Sequence, residues 1–242
     1  GYWFLGKMLS EANAIICQTH SEAVFIKKYY GAKENRIEII PNGLSIELSE
    51  SYRGLIKNRI GVKGDYVLQV GRFDRNKNQL AVIRAMADTD IPIIFIGGGD
   101  NYEPEYYEIC RRQATSNMFF LGWISNDDPL LASAYMNARV IVFPSKNEIF
   151  GNALIEGAAA GANLVVSKTV PVKDLGIEEF CELINPNDIN DIRRKIKMAY
   201  SKEKNIGLSN EVKKMYSWEN IVNKYNSTYK KAINGKKYNL KI

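Results

Sequence analysis

The first loop of chemical interest spans residues 70–78, between an apolar run and a helical pattern. It contains Gly71, Arg72 and Lys77. A glycine lets the backbone approach a ligand closely, an arginine can fork onto a diphosphate, and a lysine supplies a point charge. If the two cations converge, this loop forms an anion site. Taken alone, the same residues are also typical of a solvated surface loop.

The second loop spans residues 143–156, where an apolar run ends and a helix is expected to begin near Gly151. Free N–H groups at a helix N-terminus attract anions. Glu148 precedes the helix and Glu156 lies inside it, eight positions later, so helical periodicity does not place both on one face. Ionised carboxylates accept hydrogen bonds from sugar or ribose hydroxyls. As isolated residues, the two glutamates would equally suit a solvated surface or a helix cap.

A glycine run at residues 96–100 invites comparison with dinucleotide-binding folds. The G-x-G-x-x-G fingerprint fails because Tyr102 stands where the third glycine belongs, so a nicotinamide oxidoreductase is not predicted. The single histidine, His20, lies between Thr19 and Glu22, which have capping-box spacing. A helix-start role is therefore favoured for His20 over a role as a general base.

The elements that must position these loops alternate between β-rich runs and helical patterns. Runs such as residues 140–143 contain no alternating polar residues, which is typical of parallel strands covered by helices on both faces. The sequence predicts an α/β fold with a Rossmann-like, doubly wound parallel sheet. Strands are predicted over 14–17, 37–40, 66–70, 93–96, 118–121, 139–143, 164–166 and 181–184, and helices over 21–30, 79–87, 105–114, 129–136, 152–160 and 189–200.

The composition divides the chain into four segments. Residues 1–43 supply two strands and about one helix, too few for a core of their own, so they are interpreted as the end of a preceding domain. Residues 44–64 follow a Pro-Asn-Gly turn, are polar and irregular, and are interpreted as a linker. A regular β/α domain is predicted over 65–216. A closing amphipathic helix and basic tail are predicted over 217–242.

The closing helix begins with Ser217 as a candidate N-cap. Its apolar stripe is expected to pack into the core. The stripe consists of Trp218, Ile221, Val222, Tyr225, Tyr229 and Ile233.

The charge of the chain is concentrated at its C-terminal end. The 242 residues carry a formal net charge of +6, but ten lysines against three glutamates give +7 to residues 202–242 and leave the remainder at −1. The basic pI therefore does not indicate a nucleic-acid-binding protein. Three widely spaced cysteines without metal-ligand spacing predict neither a zinc site nor a disulfide framework, and favour reduced thiols in the cytoplasm.

Taken in order, the motifs resemble the C-terminal, donor-binding half of GT-B glycosyltransferases, specifically the large retaining group called family 4. The resemblance covers about residues 12–233. It is carried by Gly71-Arg72, Lys77-Asn78, the glycines at 97–99, the Phe-Leu-Gly step at 120–122, Pro144-Ser145, Glu148 and Glu156 around Phe150-Gly151, Ala160-Gly161, the segment 40–43, and Ser217-Trp218.

The resemblance implies a role for each matching residue. Arg72 and Lys77 would bind the donor diphosphate beside Gly71 and stabilise the departing phosphate, and Glu148 would contact donor-sugar hydroxyls near the reacting centre. Glu156 would bind the ribose. The base would lie near Gly122 and Trp123, and the diphosphate and sugar would be held by backbone groups of Phe150, Gly151, Asn152 and Ala153.

Family members transfer a sugar from a nucleoside diphosphate to a glycan or lipid-linked acceptor, with retention, and generally need no metal or other cofactor. By analogy, the setting is cell-surface polysaccharide synthesis. Because most of the acceptor-binding domain and its catalytic histidine are not matched, this chain is expected to be a fragment that binds donor but transfers sugar poorly. The basic tail suggests peripheral contact with the inner face of the membrane. The alternative is a non-catalytic nucleotide- or polysaccharide-binding module with the same fold.

Overall fold

The computed structural model describes residues 2–236. Its strands are β1 (Ile15–Cys17), β2 (Ile37–Ile39), β3 (Val67–Val70), β4 (Ile93–Ile96), β5 (Met118–Phe120), β6 (Val140–Phe143), β7 (Asn163–Ser167) and β8 (Cys181–Ile184). Its helices are α1 (Tyr2–Glu11), α2 (His20–Tyr30), α3 (Leu55–Ile60), α4 (Gln79–Met86), α5 (Pro104–Gln113), α6 (Pro129–Asn137), α7 (Asn152–Ala159), α8 (Ile189–Tyr200), α9 (Ile206–Met215) and α10 (Trp218–Lys236).

Strands β3–β8 form one parallel sheet in the order β5-β4-β3-β6-β7-β8. The chain winds outward from β3 to β5 and then returns to β6, beside β3. Val67 pairs with Ile93 on one side and with Val140 on the other. The loops after β3 and β6 therefore leave the carboxyl edge at the point where the strand order reverses, which is where open α/β sheets bind ligands. Strands β1 and β2 form a separate parallel pair.

The apolar strands are buried on both faces, as their unbroken hydrophobic runs predict. On one face, side chains such as Leu68 and Ile141 pack with residues of α6, α7 and α9. On the other, Val67 and Val140 pack with residues of α4, α5 and α8. The predicted α/β architecture with a doubly wound parallel sheet is confirmed, and this packing fixes the strand ends from which the two chemical loops emerge.

Two expectations about secondary structure in the first 64 residues are wrong. The segment 44–64, expected to be irregular, contains α3, whose Ile56 is fully buried and donates its backbone N–H to Ser133 Oγ at 3.0 Å. The first 43 residues contain α1 in addition to the one predicted helix. Helix α3 has six residues and is held by a contact distant in sequence, so local periodicity gave only a weak signal for it. Helix α9 was also not predicted. The division of the first 64 residues into a domain remnant and a linker stays a prediction.

The apolar stripe of the closing helix packs less completely than expected. Ile221 is fully buried and Tyr225 is half-buried, but Trp218 is 54% exposed, and Val222, Tyr229 and Ile233 are also exposed. Over residues 218–234, the buried residues of α10 are Ile221 and Thr228, so only part of the apolar stripe meets the rest of the described fold. Gly43 faces the Trp218 ring so closely that a Cβ there would lie 2.7 Å from it.

The basic tail lies partly beyond the described part of the chain, since residues 237–242 fall outside it. Within that part, Lys231 of α10 pairs with Glu38 at 2.9 Å, which joins the closing helix to the β1–β2 segment. None of the helices described between residues 2 and 236 combines the length and the apolar character required to cross a bilayer.

Candidate functional site

The loops after β3 and β4 stay paired beyond the ends of their strands. Gly71 donates its N–H to the carbonyl of Ile96 at 2.9 Å, and Phe73 donates to Gly98 at 2.8 Å. Gly97 makes this close approach possible: its φ is +147°, and a Cβ at this position would lie 2.0 Å from the Gly71 carbonyl oxygen. The glycines at 97–99 therefore let the loops after β3 and β4 pack closely, and these two loops form the floor of the site.

Two cavities open on either side of Gly71. One, here called the Glu148 cleft, has a volume of about 510 Å³ and is lined by Lys77, Glu148 and residues 150–153 together with Glu156. The other, here called the Trp123 cavity, has a volume of about 470 Å³ and is lined by Arg72, the glycines at 97–99, and Trp123. Val70, Gly71 and Asn126 line both, so the two form a continuous depression.

The structure brings Lys77 and Glu148 together in the Glu148 cleft, as an ion pair between Nζ and Oε2. Both side chains are largely buried. Lys77 is held through its backbone as well: its N–H donates to Asp74 Oδ1 at 2.7 Å, and its carbonyl accepts from Gln69 Nε2 at 2.8 Å. A cation fixed in this way is available to a diphosphate without large rearrangement.

Arg72 and Lys77 line different cavities, and their convergence on one diphosphate stays a prediction. The Arg72 guanidinium contacts Asp74 Oδ2 at 3.1 Å and Asp100 Oδ2 at 2.9 Å, and it lines the Trp123 cavity. The hydrogen bond to Asp74, with the charge of Asp100 beside it, raises the pKa of Arg72. The side chain remains 62% exposed, so it forms a second cationic position on the other side of Gly71.

Helix α7 begins in the Glu148 cleft with no side-chain cap at Gly151. The N-termini of α2, α6, α8 and α9 are capped by side-chain oxygens of Thr19, Asp128, Asp188 and Asn205, whereas α3, α4 and α5 also begin without a side-chain cap. Helix α7 differs from these three because its first residues, Asn152 and Ala153, line the Glu148 cleft, where their N–H groups can meet a ligand. Such a terminus, open to a cleft and beside a lysine, suits an anion.

Gly151 and Phe150 shape the start of α7. Gly151 has φ +88°, and a Cβ there would lie 3.1 Å from the Phe143 ring. Phe150 is buried, and its ring packs edge-on against Tyr216 at a centroid distance of 5.7 Å. The Phe150 side chain therefore anchors the loop in the core, which leaves its backbone as the part that faces the cleft.

Glu156 is only 5% exposed, yet it lines the Glu148 cleft. Ser45 Oγ donates to its Oε1 at 3.2 Å. The hydroxyl of Tyr135 lies close enough to lower the pKa of this carboxyl, although it completes no hydrogen bond of good geometry. Burial is the larger effect and raises the pKa of Glu156 above its ordinary value.

The segment before α3 closes one side of the Glu148 cleft. Asn42 Nδ2 donates to Asn152 Oδ1 at 2.9 Å, and Ser45 contacts Glu156 as described. Sequence reasoning missed both residues, as it missed Asp74 and Asp100. Asp74 carried a usable signal, since it lies only two positions after Arg72, but Asp100 carried none because it is 28 positions away. Asn42 and Ser45 carried none, because they lie more than 100 positions from their partners.

The remaining predicted positions lie in or beneath the Trp123 cavity. Trp123 is 75% exposed and forms one wall. Gly122 directly precedes Trp123 and has φ +71°, and its backbone carbonyl accepts the Gly97 N–H at 2.8 Å. His20 is exposed at the start of α2, directly after the cap formed by Thr19, so its assignment as a helix-start residue is confirmed.

Within residues 2–236, no three His, Cys, Asp or Glu side chains are grouped as a metal ion requires. The three thiols are free of disulfides. Burial raises the pKa of Cys17 and Cys110 to about 11, so both stay protonated at neutral pH.

Residues 55–215 match the family model described as glycosyl transferases group 1. This chain belongs to that family. The match covers the whole β3–β8 sheet, the Trp123 cavity, and the lining of the Glu148 cleft except Gln18 and Asn42. The fold matches GT-B glycosyltransferase structures.

Three known glycosyltransferases illustrate the similarity. An uncharacterized glycosyltransferase of Methanocaldococcus jannaschii is 26% identical over 229 residues, 88% of this chain and 64% of its own length. The serotype-specific mannosyltransferase WbdA of Escherichia coli is 25% identical over 79% of this chain and 25% of its own length. HepE of Anabaena, solved with UDP and glucose, superposes with a TM-score of 0.81 at 18% identity, over 95% of this chain and 66% of that one. This glycosyltransferase chain thus spans less than two thirds of the length of both curated relatives.

Proposed function

We propose that this glycosyltransferase chain binds a nucleoside diphosphate sugar across its two cavities, for transfer to a glycan or lipid-linked acceptor with retention of configuration, as in family 4. The observation that carries the proposal is the Glu148 cleft, where Lys77, Glu148 and the uncapped start of α7 surround one space at the switch point of the sheet. A diphosphate and a hydroxyl-rich sugar match these groups.

The charge that develops on the leaving diphosphate is stabilised from two directions. Lys77 supplies a full positive charge, and the N–H groups of Asn152 and Ala153 supply the partial positive charge of a helix N-terminus. These groups are fixed before the ligand arrives, which is the condition for effective electrostatic stabilisation. Arg72 joins them if its guanidinium leaves Asp74 and Asp100 for the diphosphate.

The remaining groups divide between the sugar and the nucleoside. Glu148, held by Lys77, accepts hydrogen bonds from donor-sugar hydroxyls. Glu156 accepts from the ribose, and Trp123 provides an exposed ring over the glycine floor on which a base can stack. The UDP present in the HepE structure supports a nucleotide in this role. The mannosyltransferase relative supports a setting in cell-surface polysaccharide synthesis.

We expect nucleotide binding to be independent of divalent metal ions. Lys77, Arg72 and the start of α7 already offset the diphosphate charge, so a metal bridge is not required. In calorimetric titrations, the affinity for UDP should change less than about twofold between buffers containing EDTA and buffers containing Mg²⁺. A loss of about tenfold or more in EDTA would contradict this expectation.

Replacing Glu156 with glutamine should weaken nucleotide binding about tenfold, because a hydrogen bond from ribose to a charged acceptor is lost. The substitution should also change how the free energy of unfolding depends on pH. Because burial raises the pKa of Glu156, the folded state keeps this proton to a higher pH than the unfolded chain does, so the contribution of Glu156 to the free energy of unfolding falls as pH rises above about 4.5. The variant should show a smaller fall.

Denaturant unfolding between pH 4.5 and neutrality, together with calorimetry, measures both effects of this substitution. Glu108→Gln, at an exposed position of α5 outside both cavities, is the matched control. Unchanged nucleotide affinity in the Glu156→Gln variant would contradict the assignment of Glu156 to the ribose.

The stereochemical part of the proposal is tested by the product. Because transfer by this chain is expected to be slow, a concentrated sample is incubated for many hours with nucleotide sugars of known anomeric configuration and candidate acceptors. The anomeric proton of the transferred sugar is then assigned by NMR. The expected product keeps the configuration of the donor. A product of inverted configuration would overturn the assignment to a retaining group and leave the donor site intact.

A further inference from the structure

A third cavity of about 440 Å³ lies on the other side of Glu148 from the donor cleft. Its walls are Leu5 of α1, Phe25, Ile26 and Tyr30 of α2, and Ile149 of the loop after β6. This space is here called the Phe25 cavity. Glu148 and Ile149 line both it and the Glu148 cleft, so the two spaces meet at the carboxylate that is proposed to contact the donor sugar.

The Phe25 cavity is mainly apolar, since five of its nine lining residues present aliphatic or aromatic side chains. Among its polar lining residues, Thr19 Oγ1 accepts the N–H of Glu22 at 3.1 Å, and Glu22 Oε2 accepts the N–H of Gln18 at 2.6 Å. A glycan carries a hydroxyl on most carbons, which is more than the few polar groups of this cavity can pair. An apolar chain meets no such cost.

The position of the cavity assigns it to the acceptor. In any sugar transfer, the accepting atom must come within bonding distance of the donor sugar, and the donor cleft is open toward Glu148 and Ile149. A ligand held in the Phe25 cavity lies just beyond these two residues. The side chains of Phe25 and Ile149 are 53% and 51% exposed, so a ligand seated on them would remove a large apolar surface from water.

We propose that the Phe25 cavity binds an aliphatic or isoprenoid chain of the acceptor, next to its accepting group. The acceptor of this glycosyltransferase is thus lipid-linked and not a free glycan. This inference rests on the proposed function, because it takes Glu148 as the end of the donor site nearest the acceptor.

The test uses two probes that share one head group and differ only in the tail: octyl α-mannoside, kept below its micelle concentration, and methyl α-mannoside. Each is titrated calorimetrically into the 242-residue chain, with and without saturating UDP. We expect the octyl compound to bind at least about tenfold more tightly than the methyl compound, and to do so with UDP present. Equal affinities, or displacement of the octyl compound by UDP, would overturn the inference.

A pair of substitutions on α2 locates the octyl compound. Phe25→Ser should weaken its binding about tenfold, and Val24→Ser should leave it within twofold. Val24 is the matched control because it is also exposed on α2 but does not line the cavity. UDP affinity should be the same in both variants, which shows that each is folded.

Equal octyl affinity in both variants would place the tail elsewhere and overturn the inference. Failure of UDP to bind the unmodified chain would instead contradict the proposed donor site, so the two failures are distinguishable.

Discussion

Replacing Lys77 with alanine is expected to weaken the binding of UDP, or of whichever nucleoside diphosphate binds, by about 100-fold. The lysine is the cation that the structure fixes inside the Glu148 cleft, by its ion pair with Glu148 and by two hydrogen bonds to its backbone. Its removal eliminates a charge-assisted contact with the diphosphate. It also leaves the carboxylate of Glu148 uncompensated, close to an anionic ligand.

The matched control is Lys146→Ala. Lys146 is an exposed lysine two positions before Glu148 and lies outside the cleft, so this change removes the same charge near the cleft without removing a group that lines it. Its effect on affinity should stay below about threefold. Calorimetry on both variants, with circular dichroism to confirm folding, makes the comparison. Equal losses in the two variants would show that net charge, and not the position of Lys77, governs binding.

The central parts of the site followed from sequence because they depend on strand ends. A buried run that ends at Phe143, and a helix that begins after Gly151, place residues 148–153 at the carboxyl edge of the sheet whatever the details of packing. Lys77 follows β3 in the same way. The arrangement of Arg72 could not be predicted, because Asp100 reaches it from the loop after β4 through tertiary contact. Likewise, Ser45 meets Glu156 only in the folded chain.

The second large effect is expected for Gly97→Ala. A Cβ at this position would lie 2.0 Å from the Gly71 carbonyl oxygen, and φ of +147° is a conformation that residues with a side chain rarely adopt. The loops after β3 and β4 must then separate, which breaks the hydrogen bonds Gly71–Ile96 and Phe73–Gly98. We expect the free energy of unfolding to fall by about 4 kcal/mol. Gly71 lines both cavities, so their common wall should also lose its shape and nucleotide binding should be lost.

The adjacent substitution Gly98→Ala is the control. A Cβ on Gly98 would meet only Trp123 Cβ at 3.8 Å, an ordinary van der Waals contact, and its φ is not positive. Urea unfolding should therefore give a change within about 1 kcal/mol of the original chain. A Gly97→Ala variant as stable as Gly98→Ala would mean that the two loops can move apart freely, and that the floor of the site is not fixed by Gly97.

The fold was predictable where hydrophobic runs are long and buried on both faces, as in β4 and β6. It was not predictable where stability comes from contacts distant in sequence. Helix α3 has six residues and is held by a hydrogen bond between Ile56 and Ser133, 77 positions apart. For α10 the sequence predicted more burial than the structure shows. Its apolar residues do recur with helical periodicity, but only part of this apolar face meets the rest of the fold.

The most direct test of the donor-site assignment follows the backbone amides of the ¹⁵N-labelled chain during titration with UDP and, in parallel, with GDP. If the uncapped start of α7 holds the diphosphate, the amide resonances of Asn152 and Ala153 should show the largest shifts, accompanied by Gly71 between the two cavities. Capped amides such as Asn190 of α8 should not move. Binding that leaves Asn152 and Ala153 unchanged, or no binding of either nucleotide, would contradict the account.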